Sequence, residues 1–428
     1  MPAESDPNAP SNWTAVAGVC LGVLMFTLDA SIVNIAIPTF LKVFQCGLME
    51  VQWVITGYLL VIVCLLLPIA ALARRIGQKR IFLFGLVLFT IGSFLCGLAP
   101  GIEWLIAFRL VQGAGAVCMA ALMSSVVMTA CPKNRLGQAL GIVAAAATLG
   151  TSLGPTIGGF LVSWKGWQAI FLVNLPFGIV ASILIARSLP RDTPPKFQPT
   201  KETLRDRLAI FRNTTLCSGL LGRFIVMAGN ATYLFLTPLL LEDALKYSTA
   251  SAGLLLAVAP VVSGISSPIF GALSDKFGSS RFSIAGLGIM LLSLFTMSTF
   301  TVPMTEWDFV AKVVLWGLGL GLFNAPNNTR TMQSVPASKS GAISAFFSLA
   351  IMLGQMVGVV LAGAWFHHYA FQSAQINPST SIHLLPPNVI ASSVGQSILL
   401  ISIPLAALLI MDIRQAFKER KQPALVSS

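Results

Sequence analysis

Charge is scarce in this chain. Of 428 residues only 10% are charged, 55% are hydrophobic, and the mean hydropathy is +0.82. That composition excludes a water-soluble domain of this size. Histidine is confined to His367, His368 and His383, and an adjacent pair near a loop suits a solvated site better than a ligand set. The seven cysteines, Cys20, Cys46, Cys64, Cys96, Cys118, Cys131 and Cys217, contain no CxxC spacing. Neither a disulfide framework nor a metal site is expected. No lysine follows glycine as GK[ST] requires, so no phosphate-cradling loop is expected. HExxH and paired-carboxylate patterns are also missing. Enzymatic chemistry and a cofactor are therefore not expected. Residues 1–12 are polar without a basic start, which argues against a cleavable signal.

What the chain does have is apolar runs long enough to cross a bilayer, about 20 residues each. They fall near 13–39, 48–73, 79–99, 102–130, 136–163, 167–188, 214–241, 249–274, 281–301, 308–332, 339–367 and 390–413. The fold class is an all-α, polytopic membrane protein. The net charge of +12 does not indicate nucleic acid, because the basic residues sit in short loops and not in an aromatic-interleaved patch. Arg74, Arg75, Lys79, Arg80, Lys133, Arg135, Lys276, Arg281, Lys339 and Arg414 gather on one side, together with Lys418, Arg420, Lys421 and the basic residues of the central segment. The other side carries only Lys42, Lys165, Lys246 and Lys312. Both termini are accordingly expected in the cytoplasm, in a plasma (inner) membrane. Trp53, Trp104, Trp164, Trp167, Trp307 and Trp365 then fall at the outer interface.

Residues 189–213 carry Pro190, Pro194, Pro195 and Pro199 and then KETLRDRL, which reads as a linker followed by a short surface helix. It divides the chain into an N-terminal bundle, 1–188, and a C-terminal bundle, 214–428. The halves echo each other. Gly77 and Arg80 match Gly278 and Arg281, and Gly141, Gly154 and Gly158 match Gly341, Gly354 and Gly358. The step is about 200 residues throughout, and half-chain repeats of six spans place a transporter's substrate site at the repeat interface.

Ionisable groups inside spans are costly and default to function. Asp29, Arg109, Arg223 and Arg330 qualify, and Asp29 is the only acid expected deep in a span. Asp29 lies roughly 13 Å below Pro38, and Arg109 roughly 8 Å below the outer surface, within about a turn of the same height. The two can pair, or compete for a proton and a cationic ligand. For Arg109, Arg223 and Arg330 the bland alternative is a side chain snorkelling to the interface. The repeat sets Asn230 opposite Asp29. A cavity lining is drawn from Met25, Asn34, Gln112, Arg223, Met227, Asn230, Tyr233, Asn324 and Gln355, with plain interhelical bonding as the alternative. Large soft side chains such as Met25 and Met227 suit a broad apolar pocket.

Residues 150–159, GTSLGPTIGG, set Gly150, Gly154 and Gly158 on one helix face with Gly159 beside them. That face lets a neighbouring backbone approach closely. Pro155 removes a donor and bends the helix there. On spacing alone this is a packing seam.

Together these features resemble the major facilitator superfamily over essentially the whole chain, closest to its drug:proton antiporters. Residues 28–38, LDASIVNIAIP, look like the first-helix signature of the subgroup that usually has fourteen helices, although about twelve are present here. Residues 109–115, RLVQGAG, are similar to the fourth-helix motif whose arginine is implicated in proton coupling. GTSLGPTIGG resembles the fifth-helix antiporter motif, and residues 167–178, WQAIFLVNLPFG, also look like that subgroup. The resemblance implies two six-helix bundles related by pseudo-twofold symmetry, a monomer, and partners limited to a small-molecule substrate, protons and membrane lipid. It also implies a cytoplasmic gate at Gly77, Asp275, Gly278 and Arg281. The first-half gate motif departs from the family, with Arg74 where an aspartate belongs.

The resulting expectation is a proton-coupled antiporter exporting amphipathic or hydrophobic compounds. Asp29 exchanges the proton and Arg109 tunes it, provided that Asp29 has a route to water. The alternatives are an exporter of one metabolite (amino acid, sugar or organic acid) and a transporter-like sensor that moves nothing.

Overall fold

A computed structural model describes residues 12–189, 213–336, 340–373 and 381–421. The proline-rich linker with its KETLRDRL stretch, the polar start of the chain and Lys339 lie outside the described residues. Twelve helices are long and apolar enough to cross a membrane among the described residues. Unit 1 holds Met1–Pro199 with Tyr247–Ala257, and unit 2 holds Thr200–Lys246 with Val258–Ser428.

In unit 1 the helices are α1 (Trp13–Ile35), α2 (Ile37–Phe44), α3 (Leu48–Ile76), α4 (Gln78–Gly97), α5 (Ile102–Ala130), α6 (Lys133–Lys165), α7 (Ala169–Leu172) and α8 (Asn174–Ser188). In unit 2, α9 (Thr214–Pro238) runs into a π-helical turn (Leu239–Ala244). After it come α10 (Thr249–Leu256), which falls in unit 1, and then, in unit 2, α11 (Val258–Phe277), α12 (Ser279–Met297), α13 (Glu306–Gln333), α14 (Ser340–His367), α15 (Pro387–Leu399) and α16 (Ser402–Lys421). The sequence runs appear where expected, but the first, sixth, eighth and twelfth are each interrupted, at Ala36, Val173, Ala257 and residues 400–401. Helix α10 groups with unit 1, unlike the expected division. Its small residues explain this, since Gly253 lies against the Pro155 carbonyl of α6 and Gly159 lies against Thr249 and Ala250.

Composition dictates the packing. Apolar side chains such as Phe84, Phe160, Trp164, Ile265 and Ile403 remain exposed, a surface that only lipid covers without aggregation. Trp167 is buried against Phe40, Phe44 and Phe171.

The repeat is visible atom by atom within each unit. Asn12 caps α1 by accepting from the Ala15 N–H, and Asn213 caps α9 by accepting from Thr215 and Leu216. The Asn12 N–H also donates to the Ala130 carbonyl at the end of α5, and Asn213 Nδ2 donates to Ser334 at the end of α13. Helices α3 and α11 carry Pro68 and Pro268 at matching places. They end at Gly77 (φ 117°) and Gly278 (φ 97°), a left-handed backbone that a side chain would strain. Gly85 of α4 meets the Gly115 carbonyl of α5, and Gly286 of α12 meets that of Gly319 in α13.

Candidate functional site

Helix α1 packs on α6 along the glycine face. A side chain at Gly150 would collide with Thr27, one at Gly154 with Ser31, and one at Gly158 with Ile32 and Ile35. Ser31 Oγ donates to the Gly150 carbonyl at 3.1 Å, one residue before Thr151, whose i+4 partner Pro155 has no N–H to offer. This close approach sets the height of α1 against its neighbours and so positions Asp29. Gly354 and Gly358 of α14 approach Phe224 and Ala228 of α9 in the same way, and Thr232 Oγ1 donates to Gly358 at 3.1 Å.

Asp29 is fully buried beside Arg109, which is 1% exposed. Arg109 Nη1 donates to Asp29 Oδ2 at 2.6 Å and to Gln112 Oε1 at 2.6 Å, and its Nε donates to the Val54 carbonyl at 3.1 Å. The other carboxylate oxygen, Asp29 Oδ1, accepts from Gln112 Nε2 at 2.8 Å and Asn174 Nδ2 at 3.0 Å. Gln112 also donates to Ser93 Oγ at 2.6 Å. The guanidinium lies over the Tyr58 ring, 4.1 Å from its centroid. Both charges are thus desolvated but paired and hydrogen-bonded, which offsets the cost of burying them. The Asn174 Oδ1 and the Tyr58 hydroxyl, in contrast, are buried with no hydrogen-bond partner among the described residues.

Arg109 does not snorkel, because Asp29, Gln112 and Val54 hold it inward. Asp29 has no open face here, so a cationic ligand cannot reach it in this conformation. Two further acids, Asp243 and Asp412, are buried as well, near the ends of their spans. Asp412 of α16 lies 3.5 Å from Arg330, so Arg330 does not snorkel either.

The other sequence candidates divide. In unit 2, Trp316 Nε1 donates to Asn230 Oδ1 at 3.3 Å, a bond between two neutral side chains, and Arg223 donates to Asn324 and lies under Phe347. Asn34 bonds only backward to Ala30 and Ser31 of its own helix. Met25, Met227 and Tyr233 are buried, and Gln355 is half-buried. The structure does not bring these last residues into the polar network. Asp275 is exposed with no ion-pair partner among the described residues, and Arg281 is also exposed. Sequence reasoning missed Ser93, Asn174 and Tyr58. Asn174 lay within the NLPFG stretch, where only its polarity among apolar neighbours marked it.

A family model described as Major Facilitator Superfamily matches residues 19–359. The riboflavin transporter RibZ of Clostridioides difficile (strain 630) is 31% identical over 423 residues, covering 88% of this chain and 93% of that one. Multidrug resistance protein Stp of Mycobacterium tuberculosis (strain ATCC 25618 / H37Rv) is 29% identical, with 80% and 74% covered. Among solved structures, a bacterial homologue of the human lysosomal transporter Spinster, inward-facing and unoccupied, superposes with a TM-score of 0.80 at 18% identity, covering 97% of this chain and all of that one. A D-xylose-proton symporter superposes at 0.74 and 15% identity, with 92% and 97% covered. At these identities the two structures speak to the fold alone.

Proposed function

This chain belongs to the Major Facilitator Superfamily, a multi-pass family of membrane transporters, and from that premise we propose that it is a proton-coupled antiporter exporting small amphipathic or hydrophobic compounds by alternating access across the plasma membrane. The observation that carries the reading is the buried Asp29–Arg109 pair with its neutral partners. A carboxylate that takes up a proton must release its cation. Arg109 keeps Gln112 Oε1, the Val54 carbonyl and the Tyr58 ring if it does. Asp29 keeps Gln112 Nε2, and the unpartnered Asn174 Oδ1 gives a new carboxyl proton an acceptor after a half-turn of the amide. Each partner therefore has somewhere to go, which is what a two-state element needs.

Because the pair is dry as described, proton exchange belongs to a second conformation in which water reaches Asp29. The glycine seam of residues 150–159 supports that reading. Small-residue contacts let α1 and α10 shift on α6 without repacking large side chains. Cytoplasmic termini, a monomer and a gate involving Gly77, Asp275, Gly278 and Arg281 complete the proposal.

The test uses everted vesicles energised with a pH gradient and a panel of amphipathic dyes of positive, zero and negative charge. Dye addition is expected to release protons from the wild type and not from Asp29→Asn. Undiminished proton-driven transport by Asp29→Asn removes Asp29 from the mechanism. Dye counterflow without proton movement replaces antiport by facilitated export. The relatives' names, a riboflavin transporter and multidrug resistance proteins, leave both one dedicated metabolite and broad efflux as substrate ranges for the panel to separate.

A further inference from the structure

Arg223 differs from the other cations buried in the spans. Arg109 faces Asp29 and Arg330 faces Asp412. Arg223 has no carboxylate partner among the described residues. Its Nη1 donates to Asn324 Oδ1, its Cζ lies 5.6 Å from the centre of the Phe347 ring, and its Nε is buried with no acceptor. A guanidinium does not shed its proton in a protein, so this is a standing positive charge inside an apolar span. Such a charge is expensive unless something neutralises it.

The repeat makes the residue more pointed. The matching place on α1 is Gly22, packed tightly against Leu86, Phe82 and Met119. Nothing in the fold of the bundle therefore requires a side chain of this size or charge on α9. Nor is the residue sealed, since Arg223 and Asn324 both keep part of their surface accessible. The donors left over, on the guanidinium and on Asn324 Nδ2, belong to adjoining side chains of α9 and α13. Phe347 of α14 and Met227, one turn along α9, are apolar neighbours with only a small part of their surface accessible.

We propose that Arg223 and Asn324 form the polar end of a substrate subsite within unit 2 that takes a carboxylate carried on an aromatic, amphipathic molecule. A fork of guanidinium and amide N–H groups matches the two coplanar oxygens of a carboxylate. One cation balances one such charge, whereas a phosphate dianion calls for more. The missing counter-ion of the span is then supplied by the cargo, and the aromatic body of the cargo rests on Phe347 and Met227. Unit 1 points the same way. Its carboxylate is already held by Arg109, Gln112 and Asn174, so a cationic cargo finds no vacant partner there. The inference rests on the transport reading and narrows it by assigning the sign of the cargo's charge.

The experiment measures binding by calorimetry and thermal shift on the full chain in lipid nanodiscs. The probes are benzoate, 2-naphthoate and 9-anthroate, with 2-naphthamide and 2-naphthylmethylammonium as the neutral and cationic counterparts. At least one carboxylate is expected to bind about tenfold more tightly than its amide, as a charge-assisted hydrogen bond implies. Arg223→Gln should abolish that preference and Arg223→Lys should retain part of it. Asn324→Asp should also abolish it while keeping the protein folded, because it gives Arg223 an internal carboxylate. No carboxylate preference across the three acids overturns the proposal, and so does a preference that survives in Asn324→Asp. Proton-coupled flux of neutral and cationic dyes with no carboxylate preference removes the subsite and leaves the antiport. Arg223-dependent carboxylate binding without proton-coupled flux does the reverse.

Discussion

Trp316 donates its indole N–H to Asn230 Oδ1 at 3.3 Å in unit 2, in the place that the 2.8 Å bond from Gln112 to Asp29 holds in unit 1. The two bonds join matching helices, the first span and the fourth span of each unit. On one side the acceptor is an ion with a cation beside it. On the other it is a neutral amide, and Val313 lies buried where the repeat puts the counterpart of Arg109. One architecture thus carries a charged centre in one half and an uncharged copy in the other.

Removing either member of the Asp29–Arg109 pair should destabilise the protein more than removing both. Asp29→Asn and Arg109→Gln each strand a buried charge, at a cost of about 3–5 kcal/mol. The double variant strands none and should recover much of that loss, although proton coupling stays absent. Thermal unfolding of the four proteins in one detergent provides the cycle, and strictly additive losses would contradict the pairing.

The α1–α6 seam should tolerate no added methyl. Gly154→Ala places its Cβ against Ser31, and overpacking of this kind costs about 1–3 kcal/mol. Ser31→Gly removes the obstructing side chain and should restore part of the melting temperature in the Gly154→Ala background. The same relief is not expected for Gly150→Ala, where the Leu24 carbonyl is also in the way. Equal rescue of both would place the obstruction elsewhere.

Arg330 and Asp412 form a structural pair between α13 and α16, and its loss should be felt in stability alone. Arg330→Met or Asp412→Leu is expected to lower stability by about 3 kcal/mol while leaving the proton dependence of transport unchanged. A shift in the pH profile of flux by either variant would assign the pair a coupling role.

Cys46, in the turn between α2 and α3, should react slowly with alkylating reagents at neutral pH. Burial, with Glu50 nearby as a smaller cause, pushes its thiol up to about 11. The thiolate fraction then rises roughly tenfold per pH unit across pH 8–10, where an ordinary thiol near 8.5 already levels off. Glu50→Gln removes one raising influence and should speed labelling at pH 8. The check is maleimide mass labelling of a variant with Cys46 as its sole cysteine, and an early plateau would place Cys46 in open water.

Much of this was legible before any coordinates. Twelve spans follow from apolar run lengths, because a bilayer leaves the backbone few ways to satisfy its hydrogen bonds. The glycine face of residues 150–159 is a matter of spacing, and Asp29 and Arg109 stood out because charges are rare in lipid. Asn174, Ser93 and Tyr58 did not stand out. Neutral polar residues are common in membrane helices, and only the crossing of α1, α3, α4, α5 and α8 selects these three from the rest.

The chain's residue order determined the class of molecule, the count of spans, the internal repeat and the two charges that matter most, since each of these depends on local composition or on a period along the chain. Tertiary structure alone decided that Asp29 is closed off by Arg109, that Arg330 has a carboxylate, and that Arg223 has none among the described residues. Those are facts about distances between residues far apart in sequence, and side chains tens of residues away set whether a buried charge is neutralised or left waiting for a partner.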